Sequence, residues 1–503
     1  MKKIVSLALS FCLILPFVFL LAGCSKDTNK EVLHVYNWED YISEPTQNSD
    51  GTTEDDYIDL LAEFEEEYGV TVEYSTFGTN ENMYNELQIN PGAYDLVCPS
   101  DYMIMKMISE DMVEPFTDEF LQNSTYMKYA SPYIKELFEE NGWTKYAVAY
   151  MWGTMGYVYN PELSDTVEED LSSWAGLWQE QYASVATIKD SVRDSYFLGV
   201  AAVYRDELMA LKEQFEKSEL DRMAYNAKVT EIMNRTDEKT IEATKEALLE
   251  LKKNLYGFEV DSGKQDMVVG RISINFAWSG DAVYTMDDAE PYFNEETGKE
   301  EPGIYLNYIV PEECSNIWFD GWVMPKGANV ELAQKFIDFL SRPENAVANM
   351  NYIGYTSAIA GDAVFTEMTD WYSEGEEGDL DEEGAPLVPY DLNYFFNGTS
   401  DGAYKDGDYI IYVSAESAKR QISAQYPTQE VLDRSAIMQH FDDATNAKVN
   451  EMWEEVKGLP IPVWAYIVIA VIAAGIIIVA LSYVYKGKHS DPKPRKGYYR
   501  VAK

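Results

Sequence analysis

Four short stretches of this sequence place an aromatic ring beside a carboxylate: Trp38-Glu39-Asp40-Tyr41, Asp101-Tyr102, Trp278-Ser279-Gly280-Asp281 and Trp318-Phe319-Asp320. If folding brings them together, the flat π faces can take the methylene stems and ammonium groups of an organic cation, at roughly 0.5–2 kcal/mol per cation–π contact. The carboxylates would meet the ammonium ends, because a charge buried without a partner costs several kcal/mol. Each stretch taken singly also has a plain structural reading. A lone Trp or Tyr suits a core, and an adjacent Asp suits a turn or a helix cap.

Catalytic chemistry has little material to work with. The histidines are His34, His440 and His489, too few and too scattered for a histidine-based triad or a His-rich metal site. No phosphate-loop, nucleophile-elbow or zinc-protease motif occurs, and Gly298-Lys299 runs into Glu300 where a phosphate loop needs Ser or Thr. With 87 acidic residues, any chosen carboxylate pair is a weak sign of hydrolysis. The reading is a binding protein rather than an enzyme, with no cofactor and no metal. A net charge of −48 argues against nucleic acid or anionic membrane surfaces as partners and favours cations, although a solvated acidic surface explains it equally well.

The elements that must position such a site alternate in type. Glu31 to Tyr36 reads as a strand, Tyr57 to Tyr68 as an amphipathic helix with Ile58, Leu61 and Phe64 inward, and Val70 to Tyr74 as the next strand. That is a βαβ opening. Tyr94 to Cys98 is another buried strand, running into Pro99-Ser100, and ligands of open α/β sheets collect at such strand ends. Asp206 to Leu255 reads as long surface helices, and 366–423 as an acidic, Gly- and Tyr-rich insertion. The span from 31 to 458 exceeds what one core usually supports, so two lobes are expected.

The ends carry targeting signals. Met1-Lys2-Lys3 and the apolar run Ile4 to Leu21 form a secretory signal, and Leu21-Ala22-Gly23-Cys24 resembles a lipobox with Cys24 as the lipidated residue, so 1–23 are set aside. Leu459 to Tyr485 has no charged residue, which predicts a transmembrane helix over 461–485. The basic tail 486–503 would lie in the cytoplasm and the ligand-binding body outside, at the cell surface or on the periplasmic side. Of the remaining cysteines, Cys98 and Cys314 either pair or stay as buried free thiols.

Val35-Tyr36-Asn37-Trp38-Glu39-Asp40-Tyr41, Tyr74-Ser75-Thr76-Phe77, Asn80 to Tyr84, Ala93 to Tyr102, Asn316 to Asp320 and Tyr352-Ile353-Gly354-Tyr355 occur in an order that resembles the spermidine/putrescine-binding proteins. The resemblance runs from about 31 to 365 and resumes near Tyr426 to Lys457. It implies an α/β, two-lobed type II periplasmic-binding fold closing on a hinge, with crossings near Tyr150 to Gly153 and near Trp318 to Trp322. The lobes would be 24–150 with 320–365, and 151–319 with 424–458. Carried over residue by residue, Trp38, Tyr102, Trp278, Trp318 and Tyr355 form aromatic walls. Asp40 and Asp320 meet ammonium groups, and Ser100 and Tyr41 add polar contacts. Asp194, and less directly Asp190, come from an acidic loop, Asp281 offers a carboxylate beside Trp278, and Gln439 stands for a C-terminal glutamine. Ser191 stands where the family often has a second carboxylate, which points toward putrescine.

The implied function is the extracytoplasmic substrate-binding component of an ABC polyamine importer, a monomeric body that delivers putrescine or spermidine to permease and ATPase subunits. The alternative is a membrane-anchored receptor ectodomain that senses a cation or amine.

Overall fold

A computed structural model describes residues 30–47, 53–54, 57–294, 297–397 and 409–458. The chain opens with β1 (Val32–Trp38), α1 (Leu60–Tyr68), β2 (Thr71–Phe77), β3 (Leu96–Val97) and α2 (Asp101–Ser109). Asp59 caps α1 by accepting from the Ala62 amide at 2.8 Å, and Gly69 ends it in the left-handed region at φ 68°. Because the cap falls at Asp59, Ile58 lies outside the helix and is exposed. Leu60 and Phe64 face the core in its place.

The centre of the molecule is a pair of long antiparallel strands, β4 (Ala147–Tyr159) and, later in the chain, Ser315–Pro325, both buried along their whole length. Between them come β5 (Ala186–Lys189), α3 (Val192–Val203), β6 (Gly257–Glu259), β7 (Ile274–Trp278) and α4 (Ser279–Ala289); Ser315–Pro325 is β8. The strand order is β2-β1-β3-β8-β4-β7-β5-β6. On one side β1 lies parallel to β2 and β3. On the other β7 and β6 lie parallel to β5.

This continuous sheet serves two cores. Ala147 to Trp152 pack with β1, β3 and α1 in one cluster, whereas Met155, Tyr157 and Tyr159 pack with β5, α3 and β7 in another. The strands β4 and β8 therefore cross between lobes at 150–155 and 317–322, which makes them the hinge. Their register slips between Asp320, opposite Met151, and Gly321, opposite Ala149, leaving Tyr150 as the extra residue of a bulge. Bulges kink a strand and re-aim its side chains. Here the bulge lies beside Asp320.

The insertion is not a separate body. Tyr390, Leu392, Phe395 and Ile411 join the first core through the hairpin Val388–Asp391/Ile410–Val413. From there the segment 417–421 reaches the other lobe. Lys419 pairs with Glu168 at 2.6 Å, Arg420 pairs with Glu290, and Arg420 Nε donates to the Leu306 carbonyl at 3.1 Å. Cys98 lies in the first core and Cys314 in the second, both buried and free.

The expected fold class and placement need correction at the C-terminus. Among the described residues no helix is long and apolar enough to cross a membrane. The last described element is the helix Asp443–Lys457. The segments behind the signal, the Cys24 lipobox, the 461–485 span and the 486–503 tail lie outside the described residues. Over the described residues the fold is thus two-lobed α/β with a hinge and holds no membrane-spanning helix, so the expected cell-membrane placement with a cytoplasmic tail finds no support there.

Candidate functional site

Asp320 emerges at the hinge with 8% of its surface exposed. Tyr41 donates its hydroxyl to Oδ2 at 2.7 Å and Ser100 donates to Oδ1 at 2.7 Å. Both donors come from the carboxyl ends of first-lobe strands: Tyr41 follows β1 and Ser100 follows β3. Asn80 fixes Ser100, accepting from its amide and donating to its Oγ, each at 3.0 Å, and also donates to Tyr102 Oη at 3.1 Å. Burial outweighs the Ser100 and Tyr41 hydrogen bonds and pushes the Asp320 carboxyl up to about 6. Among the described residues no cation pairs with it. A buried carboxylate held by hydroxyls and lacking a counter-charge is primed for a cation.

Rings close around it. Tyr355 meets Tyr41 edge-on at 5.6 Å and Trp318 at 5.5 Å. Trp318 is anchored by donating Nε1 to the Thr154 carbonyl at 3.1 Å. Two glycines permit this approach: a Cβ on Gly280 would meet the Tyr355 ring at 1.9 Å, and one on Gly153 would meet Ser279 Oγ at 2.2 Å and the Trp318 ring at 2.7 Å. Tyr355 also donates its hydroxyl to Asp281 at 2.9 Å, so it spans the two lobes.

In the second lobe, Trp278 and Asp281 come together at the junction of β7 and α4, but a side chain of the protein itself lies between them. Lys189, 1% exposed at the end of β5, places Nζ 2.9 Å from Asp281 Oδ2 and 4.4 Å from the centre of the Trp278 ring. The same ammonium lies 3.3 Å from Glu259 Oε1 and donates to the Val260 carbonyl at 2.9 Å. Burial would raise the Asp281 carboxyl, but Lys189 and the nearby Lys264 outweigh it and hold Asp281 below its ordinary value. Asp194 on α3 is buried with Ser191 and Trp278 as hydrogen-bond partners. Burial wins there, and its carboxyl is raised.

Arg193 stacks on Tyr102 at 4.9 Å and on Phe441 at 3.9 Å, so the lobes touch across the cleft. Asp101 is buried beside them. Its Oδ2 has no hydrogen-bond partner, and burial, with Asp320 adding repulsion, pushes its carboxyl up to about 8. Not every expected residue joins the cluster. Asp40 is exposed on a left-handed turn at φ 51°, and Asp190 points to Lys457 at 3.0 Å on the outside. Gln439 is exposed, and only its backbone carbonyl reaches Arg193, at 2.7 Å. Trp38 is half-buried against Phe77 at 4.5 Å.

Lys189, Arg193 and Asn80 are the residues that sequence reasoning did not select, and Asp101, part of one of the four aromatic–carboxylate stretches, was not carried into the expected contact set. Lys189 left one faint trace, a lone cation ending the apolar strand Ala186-Thr187-Ile188.

Two α/β lobes that meet over a buried, aromatic-walled carboxylate at a hinge define a solute-capturing protein rather than an enzyme. The family model for bacterial extracellular solute-binding proteins matches residues 59–374, and the chain belongs to that family. It is 28% identical over 330 residues to the spermidine/putrescine-binding periplasmic protein of Salmonella typhimurium, covering 65% of this chain and 78% of that one. The Escherichia coli K12 protein of the same description is 27% identical over 337 residues, covering 67% and 79%. Among solved structures, the spermidine/putrescine ABC transporter substrate-binding protein PotD of Streptococcus pneumoniae superposes with a TM-score of 0.54 at 25% identity, covering 85% of this chain and 99% of that one. The TpPotD lipoprotein of Treponema pallidum gives 0.55 at 17% identity with the same coverage. The likeness to spermidine/putrescine-binding proteins read from the sequence is therefore upheld, and the family is one of binding, not catalysis.

Proposed function

We propose that this protein captures a linear polyamine between its lobes, as the extracytoplasmic substrate-binding component of an ABC importer with permease and ATPase partners. The observation that carries the reading is Asp320: a buried carboxylate at the hinge, gripped by Tyr41 and Ser100, facing aromatic rings and paired with no cation among the described residues. A ligand ammonium supplies the missing charge in a charge-assisted contact. Trp318 and Tyr355 flank it, Tyr102 and Trp278 extend the walls, and Asp194 offers the second carboxylate on the opposite lobe. The names of the relatives support the same ligand class. The lobe division expected from the sequence, 24–150 with 320–365 and 151–319 with 424–458, fits this reading except that Tyr426 and Leu432 pack in the first core while Ala436 to Val456 pack in the second.

The test is calorimetric titration of the purified protein, dialysed to strip carried ligand, with putrescine, spermidine, choline and glutamate. One-to-one binding of an amine is expected. Silence toward both polyamines sinks the reading.

A further inference from the structure

We infer that Lys189 is a resident ammonium that fills the second-lobe end of the cleft and restricts the ligand to two positive ends, so that diamines bind and triamines are disfavoured. The inference rests on the amine-binding reading above. An ammonium has three hydrogens to donate, and Lys189 directs its own toward Asp281, Glu259 and the Val260 carbonyl while lying over the Trp278 ring. Those partners, a carboxylate, a carbonyl and an aromatic face, are what a ligand ammonium would seek. A ligand can take Asp281 only by drawing it away from a buried lysine, which would keep Glu259 as its one remaining carboxylate.

The first-lobe end shows a parallel occupation, with the Arg193 guanidinium on the Tyr102 face. Counting buried acids leaves few for the ligand. Asp281 and Glu259 are committed to Lys189. Asp101 is mostly protonated at neutral pH, its carboxyl being pushed up to about 8. Asp320 in the hinge remains with no cation acting on it, and Asp194 on the second lobe, bonded to Ser191 and Trp278, feels Lys189 and Arg193 nearby but forms no direct ion pair with either among the described residues. Two carboxylates suit two ammonium groups. A third ammonium would enter without a partner, beside the positive charge of Lys189.

The experiment compares the full chain with Lys189→Met, titrated in parallel with putrescine and spermidine. The unaltered protein is expected to bind putrescine at least tenfold more tightly than spermidine, and Lys189→Met to shrink that ratio at least tenfold. The double variant Lys189→Met/Glu259→Gln, which removes one acid with the cation, is measured alongside, so that the result stands if the single variant fails to fold. A spermidine preference in the unaltered protein overturns the inference, as does an unchanged ratio in the folded variant. Loss of all amine binding in the unaltered protein would instead strike the functional reading itself.

Discussion

Tyr41 and Asp320 lie 279 residues apart in the chain, yet the Tyr41 hydroxyl donates to Asp320 Oδ2 at 2.7 Å. One residue belongs to the turn after β1 and the other to the hinge strand β8, so the bond ties the Asp320 carboxylate to the first lobe.

Replacing Asp320 with Asn should weaken amine binding by more than tenfold with the melting transition retained, because a charge-assisted contact in a closed cleft becomes a neutral one. Tyr41→Phe should lose less, a few-fold, and should raise the Asp320 carboxyl further, since the lost hydrogen bond pulls it down. Calorimetry on both variants checks the ranking. Equal affinity for Asp320→Asn and the unaltered protein would remove Asp320 from the site.

Amine affinity should fall as pH drops through about 6, approaching tenfold per unit below it, because the ligand needs the ionised Asp320. The stability of the empty protein runs the other way. A carboxyl whose folded value lies above its ordinary 3.8 contributes stability that is fully present below 3.8 and is lost as pH rises through about 6. Asp101, raised further, should add a larger loss that runs on to about pH 8. Titrations from pH 5 to 9 in Asp320→Asn should keep the upper step and lose the lower one.

Gly280→Ala should destabilise the fold by roughly 1–3 kcal/mol, since its Cβ would enter the Tyr355 ring at 1.9 Å. Helix propensity alone predicts the opposite sign, because Ala favours the helix that Gly280 occupies. Thermal denaturation decides between them, and Tyr355→Ala in the same chain should recover part of the loss.

Cys98 and Cys314 sit in different cores, so the native protein should resist alkylation at both and melt identically with and without reductant. Peptide mapping after labelling checks each site. Labelling in the native state would mean that one core opens.

The Asp320 half of the site was legible because its words are local: an aromatic, a carboxylate and a strand end within a few residues, at Trp38 to Tyr41, Ser100 to Tyr102 and Trp318 to Asp320. The crossing strands were placed, near Tyr150 to Gly153 and Trp318 to Trp322, by the resemblance alone. What could not be read is contact order. Lys189 meets Asp281 across 92 residues, and nothing near either marks them as partners. Asp40 misled because adjacency to Tyr41 says nothing about direction. A backbone in the left-handed region turns it to solvent while Tyr41 goes inward. The membrane helix was inferred from an apolar run beyond Lys457 that lies outside the described residues, among which no helix is long and apolar enough to cross a membrane.

The segment 417–421, rooted in the first lobe and leaning on Glu168, Glu290 and Leu306 of the second, bears on ligand retention without touching ligand. Polar links that bridge the lobes favour the arrangement seen here, and apparent affinity scales with the fraction of molecules already competent. Part of the grip on the solute is therefore set on the outer flank of the molecule, where residues can be exchanged to tune dwell time while the chemistry of recognition stays fixed.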